Sequence, residues 1–258
     1  MPSTVIRSVD ALRKWRARHT ESIGLVMTMG CLHAGHAALL RESVKHNDTT
    51  VLTIFTNPTQ FNQMADFDAY PQTIDADIAL AEACQVDVIF IPTYQDMYPD
   101  DYRYRISETQ FSQVMEGAHR PGHFEGMLTI VSKMMLLVRA TRAYFGEKDY
   151  QQLQLVRGMT QALFMETEVV GVPTVREPDQ LALSSRNTRL SSDQKAIAAR
   201  FPQILLTAKT AEHATQCLRA EGFEVEYVEE YDGRRLGAVC LGGVRLIDNV
   251  VLKGKESC

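Results

Sequence analysis

The chain predicts an α/β fold: a Rossmann-like parallel sheet with helices on both faces, followed by a small α+β C-terminal domain. Through most of its length, short apolar runs alternate with segments of helical period, the pattern of strands buried between helices. Beyond about Thr174 that alternation stops, and one helical segment is followed by closely spaced strand signals around Asp232-Gly233. Two domains are therefore expected, 1–174 and 175–258.

Element by element, the first helix is amphipathic, with Val9, Leu12 and Trp15 on one face. Ile23–Met27, Val51–Phe55 and Val86–Ile91 read as buried strands, with helices at Ala37–Lys45 and Thr73–Cys84 between them. Gly126–Arg139 carries two apolar stripes, Leu128/Val131/Met135/Val138 and Met127/Ile130/Met134/Leu137, so it is expected in the core or in a subunit interface. Ala143–Phe145 and Glu168–Val172 read as strands on either side of a helix at Tyr150–Phe164. In the C-terminal part, Ser191 is the expected cap of one helix running to Thr207. Phe223, Val225 and Tyr227 alternate as in a half-exposed strand, and Leu236–Leu241 and Val244–Leu252 complete a small sheet.

Composition narrows the function. Of 258 residues 45% are hydrophobic, enough for a substantial core, and the net charge of -5 gives no drive toward nucleic acid or an anionic membrane. Met127–Val138 is too short to span a bilayer. Asp10 and Glu21 interrupt the basic N-terminus, and no signal-type apolar core follows. Five scattered cysteines (Cys31, Cys84, Cys217, Cys240, Cys258) without C-x-x-C spacing suit reduced thiols in a cytoplasmic protein.

The chemistry gathers at expected strand ends. Met29-Gly30-Cys31-Leu32-His33-Ala34-Gly35-His36 joins a strand to a helix, so two imidazoles meet at a helix N-terminus that favours an anion, with a phosphate chain as the expected occupant. Asn57-Pro58-Thr59-Gln60-Phe61 follows the next strand and offers the Asn57 and Gln60 amides to hydroxyls or a carboxylate. Arg120 and His123 flank a rigid Pro-Gly turn, where a guanidinium can grip carboxylate or phosphate. Gly146-Glu147-Lys148-Asp149 places a mobile cation after another strand, and Asp149 can orient it or cap the following helix. Leu183-Ser184-Ser185-Arg186-Asn187 offers hydroxyls and a guanidinium to phosphate oxygens, and its serines suit a helix cap equally well. No serine has a credible triad and no cysteine sits beside an expected base. A zinc site at His33, His36 and His123 is disfavoured by loops poor in fixed carboxylates.

In order, these segments resemble the pantothenate synthetase (pantoate–β-alanine ligase) family: Met29–His36, Asn57–Phe61, R-P-G-H-F at Arg120–Phe124, F-G-E-K-D-x-Q-Q at Phe145–Gln152, V-R-E…L-A-L-S-S-R-N at Val175–Asn187, and more weakly R-L-I-D-N at Arg245–Asn249. The resemblance covers nearly everything from 20 to 190. H-x-G-H alone is shared by many nucleotidyltransferases; the ordered set is specific. It implies a homodimer that joins pantoate to β-alanine at the expense of ATP, through pantoyl adenylate, with pyrophosphate and AMP released. By resemblance, Met29, Gly30, Cys31, Leu32, His33, Ala34, Gly35 and His36 bind ATP together with Gly146, Glu147, Lys148, Asp149, Val175, Leu183, Ser184, Ser185 and Arg186. His36, His33 and Lys148 are the expected catalytic donors. Gln60 and Gln152 are the expected pantoate ligands, in a substrate region lined by Asn57, Arg120 and His123. Mg²⁺ is expected to ride on ATP, with Asp77 or Asp75 as outer ligands. Four features depart from the family: Met27 for Pro, Cys31 at a usually small and inert site with Ala34 for Glu, Pro178 and Gln180 in place of Ala and Gly, and a shorter stretch between Leu190 and Gly222. A different small acid as adenylate acceptor, and a nucleotide-binding protein without turnover, are the competing readings.

Overall fold

A strand covered by helices on both faces needs no polar alternation, and the apolar runs form such strands. The computed structural model describes residues 2–62, 67, 68, 70 and 72–252. In it β1 (Thr4–Ile6), β2 (Ile23–Thr28), β3 (Thr49–Ile54), β4 (Val88–Phe90), β5 (Arg142–Gly146) and β6 (Glu168–Val172) form one sheet. Their order is β1-β4-β3-β2-β5-β6 and every pairing is parallel. From β2 the chain winds through β3 to β4, then returns to place β5 on the other side of β2. The carboxyl ends of β2 and β5 therefore flank the point where the winding reverses, the usual ligand crevice of such sheets. The edge strand β1 is absent from the sequence reading, because two apolar residues in three carry no periodicity.

Helices α1 (Val9–Arg16), α2 (Ala34–His46), α3 (Ile74–Ala83), α4 (His123–Val138) and α5 (Tyr150–Ala162) accompany this sheet. Both expected stripes of α4 turn inward: Leu128, Val131, Met127 and Met134 are all buried, while Leu136 between them is 65% exposed. Lys133 on the same helix extends its ammonium to the Met97 carbonyl at 2.7 Å. No helix among the described residues is long and apolar enough to cross a membrane.

Contacts divide the chain into two units, Met1–Glu147 with Gln151–Val172, and Lys148–Tyr150 with Pro173–Cys258. The second unit holds α6 (Ser192–Ala198), α7 (Arg200–Thr207) and α8 (Ala211–Ala220), then β7 (Glu224–Tyr231), β8 (Arg234–Leu241) and β9 (Val244–Val251) in an antiparallel meander. Asp232 and Gly233 join β7 to β8, and Gly242 and Gly243 join β8 to β9, each pair at positive φ as two-residue hairpin turns require. Phe201, Leu205, Leu218, Val239 and Leu246 make its core. Ser191 caps α6 as expected, accepting the Gln194 N–H at 3.2 Å. The single helix expected from Ser191 to Thr207 is instead two, meeting at Ala199. Pro202 has no N–H to bond the Ala198 carbonyl, and it is tolerated in the first turn of α7, where such N–H groups are not needed. Helix α8 is an addition to the expected elements; only Ala214 and Leu218 of its length are buried, too narrow a stripe to register in the sequence. The four described cysteines are free thiols, and Cys258 lies outside the described residues.

Candidate active site

Behind β2 the chain must turn sharply into α2, and Gly30 (φ +87) and Cys31 (φ +53) supply the left-handed residues of that turn. Asp77, 2% exposed in the first turn of α3, holds the loop from behind. Its carboxylate accepts the Cys31 N–H at 3.0 Å and the Leu32 N–H at 2.7 Å, with the Thr73 hydroxyl at 3.2 Å from each oxygen. Three donors thus share the roughly four acceptor positions of that carboxylate. The expected outer magnesium ligand is thus a buttress of the Met29–His33 loop, and the i,i+4 spacing of Thr73 and Asp77 at a helix start was the signal for it.

The two histidines lock each other. His33 is the N-cap of α2, and its Nδ1 accepts the Gly35 N–H at 3.1 Å. The Nδ1 of His36 in turn accepts the His33 N–H at 3.2 Å, completing a capping box of two imidazoles whose rings lie 4.2 Å apart. An Nδ1 that accepts cannot carry a proton, so each ring is neutral with its N–H on Nε2. A Cβ on Gly35 would stand 2.8 Å from His33 Cε1, which explains why glycine separates the pair. Both rings are half-buried at the start of a thirteen-residue helix, so two Nε2–H donors reinforce the positive helix end.

The loop after β3 is built on α4. A Cβ at Gly126 would fall 2.3 Å from the Thr59 carbonyl oxygen, so the loop lies directly on the helix backbone. Asn57 is 1% exposed and fully engaged. Its Nδ2 donates to Gln60 Oε1 at 3.1 Å and to the Gly126 carbonyl at 3.3 Å. Its Oδ1 accepts the Thr59 hydroxyl at 3.0 Å and the Tyr98 hydroxyl at 2.9 Å. Burial pushes Tyr98 up to about 12, so it remains a neutral donor. Asn57 therefore supports Gln60 from within, with both ends of its amide engaged. Gln60 itself is half-exposed, and its Nε2 lies 3.0 Å from the Met29 sulfur, which ties this loop to the one after β2.

His123 is likewise internal, at 7% exposure. Its ring bonds the Gln60 carbonyl through Nδ1 at 2.9 Å and meets Arg120 Nη1 through Nε2 at 3.1 Å. That pairing sets the Nδ1–H tautomer and makes His123 a brace between Gln60 and Arg120. Arg120 is ion-paired with buried Glu116 at 3.1 Å, a partner the sequence reading missed. At the start of α5, Gln151 is buried, donating to the Phe111 and Val114 carbonyls at 2.7 and 2.9 Å. Its neighbour Gln152 is half-buried, with no hydrogen bond from its amide among the described residues. Gly146 ends β5, and a Cβ there would meet nothing within 4 Å, so the strand end is open.

A cavity of about 450 Å³ lies on the β3–β4 side of this loop, with Met29, Gly30, Pro58, Thr73 and Asp77 among its walls. His33, His36, Gln60 and Gln152 are not among its lining residues, so its size says nothing about the donor set just described.

The second unit carries the remaining residues. Val175 and Leu183 face each other across a hairpin, with the Leu183 N–H on the Val175 carbonyl at 3.0 Å. At its tip Gln180 holds φ +76, a conformation that glycine accepts without strain and other residues do not. Ser184 caps the short 3-10 turn Ser185–Arg189 by accepting the Arg186 N–H at 3.3 Å, which leaves Ser185 half-buried and Arg186 exposed. Lys148 lies 3.7 Å from Asp149. Arg176 grips Asp248 with both nitrogens, at 2.7 and 2.9 Å, and bonds the Asn249 carbonyl at 3.2 Å. Burial pushes the Asp248 carboxyl up and the Arg176 guanidinium pulls it back. The expected domain boundary put residues 148–150 with the first domain; their contacts group them with this unit.

A family model described as Pantoate-beta-alanine ligase matches residues 4–251. A pantothenate synthetase of Bdellovibrio bacteriovorus is 51% identical over 246 residues, covering 95% of this chain and 98% of that protein. One from Coxiella burnetii is 46% identical, covering 97% and 98%. The crystal structure of a pantoate-beta-alanine ligase from Francisella tularensis, complexed with beta-gamma ATP and beta-alanine, superposes with a TM-score of 0.91 at 35% identity, over 96% of this chain and 97% of that one. A pantothenate synthetase structure from Thermus thermophilus superposes with a TM-score of 0.88 at 38% identity, over 96% and 98%.

Proposed function

This chain belongs to the pantoate–β-alanine ligase family, ATP-dependent ligases that condense pantoate with β-alanine, and we propose how its own residues carry that reaction. The observation that carries the proposal is the histidine capping box, which fixes two Nε2–H donors at the carboxyl end of β2. His33 and His36 hold the ATP phosphates, with the N–H groups at the start of α2 behind them. Lys148 adds a full positive charge, and Ser184, Ser185 and Arg186 grip phosphate oxygens. Gly146, Glu147, Asp149, Val175 and Leu183 line the nucleotide. Gln60 and Gln152 bind the hydroxyls and carboxylate of pantoate, Arg120 adds charge beside them, and Asn57 and His123 keep Gln60 in place.

In the first step a pantoate carboxylate oxygen attacks the α-phosphorus, the bond from that phosphorus to the bridging oxygen breaks, and pyrophosphate leaves with the electron pair. In the second, the neutral amine of β-alanine attacks the acyl carbon, the bond to AMP breaks, and the amine proton passes to solvent. Neither step needs a protein nucleophile. The protein aligns the reactants and places donors where charge builds on phosphate oxygens. Among the described residues no three His, Cys, Asp or Glu side chains form a metal cluster, and Asp77 is committed to the loop. Mg²⁺ belongs in this reading as the complex of ATP, where it offsets charge on the departing pyrophosphate. The reading extends to a homodimer, which accords with the exposed Leu136 on α4, and to a cytoplasmic location, which accords with the free thiols.

Pantoate labelled with ¹⁸O in its carboxylate tests the route. An acyl adenylate delivers one labelled oxygen to AMP; AMP free of label excludes carboxylate attack on the α-phosphorus.

A further inference from the structure

Lys148 follows β5 in the chain, but its turn, Lys148–Tyr150, is held by the C-terminal ribbon. The Asn249 Nδ2 donates to the Lys148 carbonyl at 3.1 Å, while its Oδ1 accepts from Arg234 Nη1 at 2.8 Å. The same Arg234 guanidinium sits 4.5 Å from the centre of the Tyr150 ring, and the Tyr150 hydroxyl donates to Asp232. Asn249 has no freedom of its own. It is 3% exposed, its N–H donates to Asp248 Oδ1 at 2.7 Å, and Arg176 holds its carbonyl. The Lys148 ammonium lies 3.7 Å from the partly exposed Asp149 carboxylate and within electrostatic range of buried Asp248. The carbonyl of Lys148 is clamped, while its ammonium makes no hydrogen bond among the described residues.

A buried ion pair such as Arg176–Asp248 is weak evidence for stability, since apolar residues of similar volume serve a core as well. Its geometry does fix the orientation of the Asn249 amide. We propose that Asn249 is a positioning residue for Lys148: it clamps the carbonyl of Lys148 so that the ammonium is aimed at the phosphates, with Tyr150 and Arg234 as a second clamp. This rests on the assignment of Lys148 to ATP above.

Asn249→Ala, Tyr150→Phe and Lys148→Ala, singly and with each of the first two combined with the third, are compared by pantoate-dependent exchange of labelled pyrophosphate into ATP. Asn249→Ala is expected to lower kcat about thirtyfold and Tyr150→Phe about fivefold, with the KM for pantoate changed less than about threefold. In the Lys148→Ala background neither is expected to cost more than about twofold, because a residue that acts through Lys148 has nothing left to position. The same loss in both backgrounds, or no loss from Asn249→Ala in the wild-type background, overturns the proposal. Wild-type kcat in Lys148→Ala removes the Lys148 assignment and the proposal with it. Absence of exchange in the wild type is the separate failure of the ligase mechanism. If Asn249→Ala does not fold, Tyr150→Phe, which keeps the ring beside Arg234, carries the same cycle.

Discussion

Replacing Gly35 with alanine separates the stability of the histidine loop from its activity. Gly35 is the second residue of α2, and the new Cβ would lie 2.8 Å from His33 Cε1 and 3.0 Å from Nδ1. The ring must swing away and give up the Gly35 N–H, which frees the tautomer that the cap had fixed. Losing a cap costs about 1 kcal/mol, while alanine in place of glycine returns up to about 1 kcal/mol of helix propensity. Global stability should therefore change by less than about 1 kcal/mol, or a few degrees in Tm for a chain of this size. Catalysis has no such compensation. A phosphate donor displaced by about 1 Å, or lost, costs about 10²-fold in rate, near 2.7 kcal/mol of transition-state stabilisation. Pyrophosphate exchange and thermal melting on the same preparation report both quantities. A variant that melts normally and exchanges within about threefold of wild type would refute the role assigned to His33.

Asp77→Asn should turn an amide N–H toward the Cys31 or Leu32 N–H, cost about 2 kcal/mol and raise the KM for ATP, with the Mg²⁺ dependence unmoved; a shifted Mg²⁺ midpoint would instead point to a metal ligand. Gln180→Gly should relieve the positive φ at the hairpin tip and stabilise the protein by about 0.5–1 kcal/mol in urea denaturation; no change would show that this residue carries no strain. The Tyr104 N–H foremost, then the N–H of Asp100 itself and the Lys133 ammonium, hold the Asp100 carboxyl down at about 2. A carboxyl lowered in the folded state contributes its full stability above its ordinary unfolded range. That contribution is lost as pH falls toward 2, because the unfolded chain binds the proton first. Urea midpoints at pH 5, 3 and 2 should show a shallower acid limb for Asp100→Asn than for wild type.

Much of the sheet was legible because buried parallel strands are written as apolar runs: Glu168–Val172 matches its strand residue for residue, and Ile23–Met27 and Val51–Phe55 are within two residues of theirs. The strand-to-helix junction at His33 and His36 followed from the same pattern. What stayed hidden was orientation. Asn57 and Gln60 read as donors after a strand, His123 as a donor at a Pro-Gly turn, and Gln152 as a pantoate ligand by resemblance. Tertiary hydrogen bonds to Gly126 and Tyr98 hold Asn57 inside, and one to the Gln60 carbonyl holds His123, while Gln60 and Gln152 keep partly exposed side chains. Asp77 read as an outer Mg²⁺ ligand because its partners, the Cys31 and Leu32 N–H groups, lie 46 and 45 residues away. The clamp on Lys148 joins residues 101 apart in sequence, and no local spacing encodes it.

Pantoate-dependent exchange of labelled pyrophosphate into ATP, with Mg²⁺ and without β-alanine, tests the adenylate half-reaction on which every residue role depends. Exchange that appears only when pantoate is present is the predicted result. A folded protein that binds ATP and shows no exchange, or exchanges equally without pantoate, would contradict it.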